Sequence, residues 1–143
     1  MHKRNDINFK GFTLIELLIS IAIIGILSSI LLVNLSGFRA RTRDTTRKKD
    51  LRIIQTALEL YRADMSGYPN TLPSCGGALT SGGPGGVTYL KKIPCDPSSG
   101  LNYNYSTPGG GYLMFACLEN SHDSEKDANK GTCGTAKFTV ESP

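Results

Sequence analysis

The 143-residue sequence predicts an α+β fold in which a long N-terminal helix packs on a small antiparallel β-sheet. Two observations carry this prediction. A helical pattern of apolar residues extends from residue 12 to about residue 66, and four short strand-like runs follow a glycine-rich segment at residues 70–86. We therefore expect one helical element and one small β domain rather than two independent domains.

The helix begins with a mainly apolar run from Phe12 to Leu35, in which Glu16 is the only charged residue. About 20 apolar residues suffice for a helix to cross a bilayer. A cleaved secretory signal is the alternative, but its apolar core has ~7–15 residues and ends at small residues. The core here is longer and is followed by arginines, so residues 12–35 predict a retained membrane helix after a polar leader at residues 1–11.

The second half of the helix, residues 36–66, is predicted to be amphipathic. Its apolar residues follow helical spacing and would form one face of the helix. They are Leu51, Ile54, Leu58 and Tyr61, widened by Ile53, Ala57 and Leu60. Gly67 and Pro69 then predict the end of the helix.

Residues 67–143 predict the β domain. The strand-like runs are VTYL at 87–90, LNYNYS at 101–106, YLMFACLE at 112–119 and TAKFTV at 135–140. Turn residues between them favour an antiparallel meander. The segment PSCGGALTSGGPGG is predicted to be a loop.

The β domain contains all four cysteines, Cys75, Cys95, Cys117 and Cys133, and no C-x-x-C pair that would suggest zinc. An even number of cysteines in a loop-rich region predicts two disulfides and an oxidising compartment. We favour the local pairings Cys75–Cys95 and Cys117–Cys133, although the other two connectivities stay open.

The net charge of +4 is unevenly distributed. Residues 39–52 hold seven basic residues against two acidic ones, whereas the chain from residue 63 onward has a charge of −2. The basic stretch could contact anionic lipid headgroups or phosphates. It has no aromatic side chains on which bases could stack, so nucleic acid is not the expected partner.

The segment KGFTLIELLISIAIIGIL, residues 10–27, resembles the N-terminal cleavage and methylation segment of type IV pilins and of the related pseudopilins. The resemblance implies the type IV pilin-like fold, cleavage by a prepilin peptidase between Gly11 and Phe12, and N-methylation of Phe12. It also implies that the leader is cytoplasmic and the β domain extracytoplasmic. This orientation agrees with the cysteines, although seven basic residues follow the apolar run and only three precede it.

In that family Glu16 would be the acid used in subunit assembly. An ionised carboxylate inside an apolar segment is costly unless it is paired. The α-ammonium of Phe12, from the same chain or from a neighbouring subunit, is the expected partner. A carboxylate that merely extends to the membrane surface is the alternative. Gly25 and Ser29 have the spacing of small residues that allow close helix approach, although ordinary membrane-helix composition also explains them.

The segments DLRIIQTALELYRADMSGYP and KKIPCDPSSGLNYNYSTPGGGYLMFA resemble the major pseudopilins of type II secretion less specifically. The resemblance implies a structural subunit of a type IV pilus-like filament, which polymerises through its N-terminal helix after the leader is cleaved. The alternatives are a major pseudopilin of a type II secretion system and a minor pilin that serves DNA uptake or adhesion.

The implied partners are further copies of the chain, the prepilin peptidase, the inner-membrane assembly platform with its motor, and membrane lipid before assembly. The implied location is the inner membrane and then an extracellular or periplasmic filament.

No enzymatic site is expected. His2 belongs to the leader, and His122 alone with nearby serine and aspartate does not define a catalytic triad. No cofactor is expected apart from calcium, which major pseudopilins bind in the loop after the strand that ends near residue 119. The candidate ligands are Asp123, Glu125 and Asp127. A solvated acidic loop is the alternative, since the EF-hand pattern is missing.

Overall fold

The computed structural model describes residues 11–32, 35–82 and 85–143. The chain divides into an N-terminal unit, residues 1–36, and a C-terminal unit, residues 37–143. The described residues form α1 (Leu14–Leu32), α2 (Leu35–Met65), β1 (Leu79–Thr80), β2 (Thr88–Leu90), β3 (Asn104–Ser106), a 3-10 turn (Pro108–Gly110), β4 (Leu113–Leu118) and β5 (Ala136–Glu141). The α+β class, with a helix packed on small antiparallel sheets, is confirmed.

Helix α1 is apolar on every side. Twelve large apolar side chains between Phe12 and Ile30 are exposed, and the helix has no polar face. No helix in the described part of the chain is both long and apolar enough to cross a membrane. Most of the predicted leader, and residues 33 and 34 of the predicted helix at 12–66, lie outside the described residues.

Helix α2 supplies one side of the core of the C-terminal unit. Leu51, Ile54 and Leu58 are fully buried, and Ala57 lies beside them. Ile53 and Leu60 are exposed, so the prediction that they widen the apolar face is wrong. A rotation of 100° per residue turns each of them away from its buried neighbour, and the small sheet covers only one narrow face of the helix.

The main sheet has the antiparallel order β3-β4-β5. In its two longer strands alternate residues are buried, because successive side chains of a strand point to opposite faces. The buried set is Met114, Ala116 and Leu118 of β4 and Ala136, Phe138 and Val140 of β5. Together with α2 this face forms the core of the unit.

The predicted single meander is wrong in one respect. β2 pairs with β1 in a separate two-stranded sheet, with Leu79 opposite Leu90. β1 lies in the glycine-rich segment that was expected to be a loop. Its Leu79 is buried in the common core, which explains why a strand forms there despite the flanking glycines. The glycines limit the strand to two residues.

Two disulfides join Cys75 to Cys95 and Cys117 to Cys133, the pairing that the sequence favours. The first closes the loop that contains β1 and β2. The second joins β4 to the segment that precedes β5. Loops of this length give ~3 kcal/mol of stabilisation each in the chain-entropy model. Such cross-links matter in a unit whose sheets are this small.

A buried arginine joins α2 to both sides of the C-terminal unit. The side chain of Arg47 is only 4% exposed and contacts three carboxylates. Its Nε lies 2.6 Å from Asp96 Oδ2, and its Nη1 lies 2.8 Å from Asp44 Oδ1 and 2.8 Å from Glu119 Oε1. Asp44 in turn accepts the backbone amides of Glu119 and Asn120 at the end of β4. We call Arg47 and these three acids the Arg47 network.

The charges of this network are stabilised by one another. Burial alone would lower the pKa of Arg47, but the hydrogen bonds that its guanidinium donates to Asp96, Asp44 and Glu119 outweigh it and raise that pKa. Hydrogen bonds from Arg43 and Arg47 lower the pKa of Glu119 to about 2. Arg47 and Glu119 therefore stay ionised near neutral pH.

We predict that Arg47→Met destabilises the protein strongly, because it leaves buried carboxylates without a counter-charge. Removing one partner of such a network costs about 3–5 kcal/mol. Chemical unfolding of the full-length protein in detergent measures this free energy. Arg41→Met, which changes an exposed arginine of the same helix, should cost no more than ~0.5 kcal/mol. Equal effects of the two substitutions would contradict the role of the network.

Candidate assembly site

The first turn of α1 is closed by a reciprocal pair of hydrogen bonds between Thr13 and Glu16. The backbone amide of Glu16 donates to Thr13 Oγ1 at 3.3 Å, and the backbone amide of Thr13 donates to Glu16 Oε2 at 2.9 Å. The Thr13 hydroxyl also donates to Glu16 Oε2 at 2.7 Å. This is a capping box, which satisfies amides that the helix itself leaves unpaired. It also places a carboxylate at the positive end of the helix dipole.

The structure therefore gives Glu16 a partner in its own chain, Thr13, which the sequence analysis missed. The signal was present, because Thr13-x-x-Glu16 is the standard spacing of a capping box. Gly11 and Phe12 lie just before the box, and the Phe12 side chain is exposed. The predicted cleavage point between Gly11 and Phe12 thus lies just before the capping box. Phe12 is two residues before Leu14, the first residue of α1, and four residues before Glu16.

Two serines further along α1 form hydrogen bonds within the helix. Ser20 Oγ donates to the carbonyl of Glu16, and Ser29 Oγ donates to the carbonyl of Ile26. At Gly25 a Cβ atom would meet nothing within 4 Å. The small residues Gly25 and Ser29 thus leave an open position on the helix that requires no polar partner.

The three acids that were considered as calcium ligands are not brought together. Asp123 and Glu125 both contact Lys48 of α2, whereas Asp127 contacts Lys137 and Thr139 of β5. Among the described residues no group of three His, Cys, Asp or Glu side chains could hold a metal ion. These three acids alternate in the sequence, but they do not form one set of metal ligands.

Two family models match the chain. Residues 7–32 match the prokaryotic N-terminal methylation motif. Residues 34–133 match protein G of the type II secretion system (T2SS). This match covers more than half of the chain. The chain belongs to the type II secretion system protein G family. These matches confirm the resemblance of residues 10–27 to the N-terminal segment of pilins and pseudopilins.

Curated relatives agree with this assignment. The chain is 33% identical over 133 residues to "Type II secretion system core protein G" of Pseudomonas aeruginosa, an alignment that covers 85% of this chain and 93% of the relative. It is 30% identical to the protein of the same name from Escherichia coli, over 82% of this chain and 88% of the relative. The protein of that name from Vibrio cholerae is 35% identical over 69% of this chain and 71% of its own length. No solved structure matches the chain.

The family consists of structural pseudopilins and not of enzymes, as the sequence analysis expects. Membership implies processing by a prepilin peptidase and self-polymerisation. It also implies anchoring in the inner membrane. The matches favour the major pseudopilin, which the sequence analysis gave as its alternative, over the pilus subunit that was its main expectation.

We predict that two substitutions separate capping by Glu16 from charge pairing between subunits. Glu16→Gln removes the charge but keeps an oxygen that can cap the helix, whereas Thr13→Val removes the hydroxyl and keeps the charge. If the charge directs assembly, Glu16→Gln abolishes or sharply slows polymerisation, and Thr13→Val polymerises nearly as well as the wild type. Cross-linking of filaments in cells and membrane fractionation of each precursor measure the two effects. The opposite ranking of the variants would show that capping is what assembly requires.

Proposed function

We propose that this chain is the major pseudopilin of a type II secretion system, which polymerises through its N-terminal helix into a short periplasmic fibre. The match of residues 34–133 to the protein G family is the observation that carries the proposal. The names of the curated relatives support it. A type IV pilus subunit would share the N-terminal motif but not the match of the C-terminal unit.

Before assembly, residues 12–35 would anchor the precursor in the inner membrane, with the leader at residues 1–11 in the cytoplasm. The amphipathic residues 36–66 and the β domain at 67–143 would lie on the periplasmic side. Two disulfides in the C-terminal unit support this orientation, because disulfides form and persist in oxidising compartments such as the periplasm. Prepilin peptidase would cut between Gly11 and Phe12, and Phe12 would then be methylated on its new α-amine.

Assembly would transfer α1 from lipid into a bundle of identical helices. The inner-membrane platform and its motor would supply the work, and the apolar side chains that α1 exposes would become buried between subunits. The cost of burying an unpaired charge would favour the axial offset at which Glu16 meets the α-ammonium of a neighbouring Phe12. Such a buried polar contact sets register more than it adds stability.

We predict that replacing Gly11 with a bulky residue, as in Gly11→Leu, leaves an unprocessed precursor in the membrane. The peptidase needs close access to the backbone at the scissile bond, and a side chain at this position obstructs it. Immunoblotting detects the larger precursor, and mass spectrometry of the wild-type protein should find methylated Phe12 as the first residue. Assembled wild-type subunits that still begin at Met1 would contradict the processing step.

We predict that deletion of the gene in the source bacterium blocks protein secretion and leaves surface pili intact. Exported enzymes should accumulate in the periplasm, as measured by activity assays on periplasmic and culture fractions. A plasmid copy of the wild-type gene should restore secretion, whereas a copy carrying Gly11→Leu should not. Normal secretion together with the loss of surface filaments in electron micrographs would instead identify a pilus subunit.

A further inference from the structure

The acidic loop between β4 and β5 is held against α2 by a lysine. Lys48 Nζ lies 3.0 Å and 2.9 Å from the two carboxylate oxygens of Asp123 and 2.8 Å from Glu125 Oε2. The other oxygen of Glu125 accepts a hydrogen bond from Arg52. The side chain of Lys48 is only 13% exposed, so its ammonium group lies between the helix and the loop.

Calcium, which the family implies for this loop, does not fit the arrangement of its oxygens. The ion takes six to eight oxygen ligands. The carboxylates of Asp123 and Glu125 are already engaged by Lys48 and Arg52. Asp127 is turned to the neighbouring strand, where its carboxylate accepts the amide and the hydroxyl of Thr139 at 3.3 Å and 2.5 Å.

Two backbone oxygens of the loop are engaged by lysines of the loop itself. Lys126 Nζ donates to the carbonyl of Ser121 at 2.6 Å, and Lys130 Nζ donates to the carbonyl of Gly134 at 3.2 Å. Carbonyl oxygens are the second class of ligand that calcium uses in proteins. Ammonium groups thus engage two of the loop's carbonyl oxygens as well as the carboxylates of Asp123 and Glu125.

The local charges are also balanced without a metal ion. Lys48 and Arg52 carry two positive charges, and Asp123 and Glu125 carry two negative charges. Burial alone would lower the pKa of Lys48, but hydrogen bonds to Glu125 and Asp123 outweigh it and raise that pKa, so the group stays charged. A divalent cation placed between these carboxylates would meet the ammonium of Lys48 at short range and be repelled.

Both ends of the loop are fixed independently of its acids. The disulfide Cys117–Cys133 closes its base. The carboxylate of Asp44 accepts the backbone amides of Glu119 and Asn120, the first residues after β4. A metal ion would therefore have only the middle of the loop to organise, and Lys48 contacts that part.

We propose that the ammonium group of Lys48 takes the place of a divalent cation in this chain, so that the loop between β4 and β5 keeps its conformation without calcium. Lys48 reaches the loop from the helix on which the sheet packs. It therefore also joins the loop to α2, which an ion bound within the loop would not do. The proposal concerns the C-terminal unit alone and does not depend on which type of filament the chain forms.

The experiment uses the full-length protein in detergent, with calcium chloride or the chelator EGTA as the probe. The readouts are the thermal unfolding midpoint and the rate of proteolytic cleavage within residues 119–132, located by mass spectrometry. For the wild type we expect the same midpoint and the same cleavage rate in calcium and in EGTA. A filled calcium site would raise the midpoint by several degrees.

Three variants test the role of Lys48 itself. Lys48→Met keeps the apolar part of the side chain and removes the ammonium, so cleavage of the loop should become several-fold faster. Lys48→Arg keeps the charge and should resemble the wild type. Lys49→Met removes an exposed lysine of the same helix turn and is the matched control.

A wild-type midpoint that rises in calcium or falls in EGTA would overturn the proposal, whatever the variants do. Cleavage of Lys48→Met at the rate of Lys49→Met would also overturn it. If Lys48→Met does not fold, the wild type and Lys48→Arg still test the proposal. Calcium should leave the unfolding midpoint and the cleavage rate of both proteins unchanged.

Discussion

The C-terminal unit depends on the position of one guanidinium group. A single helix and a sheet of three short strands bury few apolar side chains, and those side chains alone allow the helix to slide or rotate on the sheet. Arg47 removes that freedom, because it bonds to Asp96 in the connection after Cys95 and to Glu119 at the end of β4. Asp44 completes the link by accepting the backbone amides that follow β4. Buried ion pairs contribute little net stability compared with apolar packing, but their geometry permits only one arrangement of the parts that they join.

The N-terminal unit solves a different electrostatic problem, that of one acid in an apolar helix. Glu16 is bonded to Thr13 in the isolated chain, so its charge has a partner before any other subunit is present. The same carboxylate is the group that we propose directs assembly. A neighbouring α-amine would therefore have to compete with the capping box or share its oxygens. The ease of that exchange depends on how strongly Thr13 holds the carboxylate.

The sequence predicted those parts of the structure that repeat at short spacing. The apolar face of α2 and the alternation of Met114, Ala116 and Leu118 are local patterns, and the cysteine pairing followed from proximity along the chain. The Arg47 network could not be predicted, since Arg47 and Glu119 are 72 residues apart and charged residues carry no periodic signal. The capping box is predictable from the Thr-x-x-Glu spacing, but the sequence analysis considered only charged partners for Glu16. The acids at 123, 125 and 127 suggested a metal because their spacing is regular, whereas their partners are set by Lys48 of a distant helix and by β5.

Asp127 has a consequence for how copies of the chain can meet. Among the strands that the structure describes, β5 pairs with β4 alone, and an unpaired strand edge is a template for further strands and for aggregation. Asp127 occupies part of that edge: its amide donates to the carbonyl of Lys137 at 2.8 Å, and its carboxylate accepts the amide of Thr139. Strand addition at this edge is thereby obstructed, and the apolar side chains of α1 remain exposed. A protein made to polymerise thus blocks one wrong route of polymerisation with a single residue.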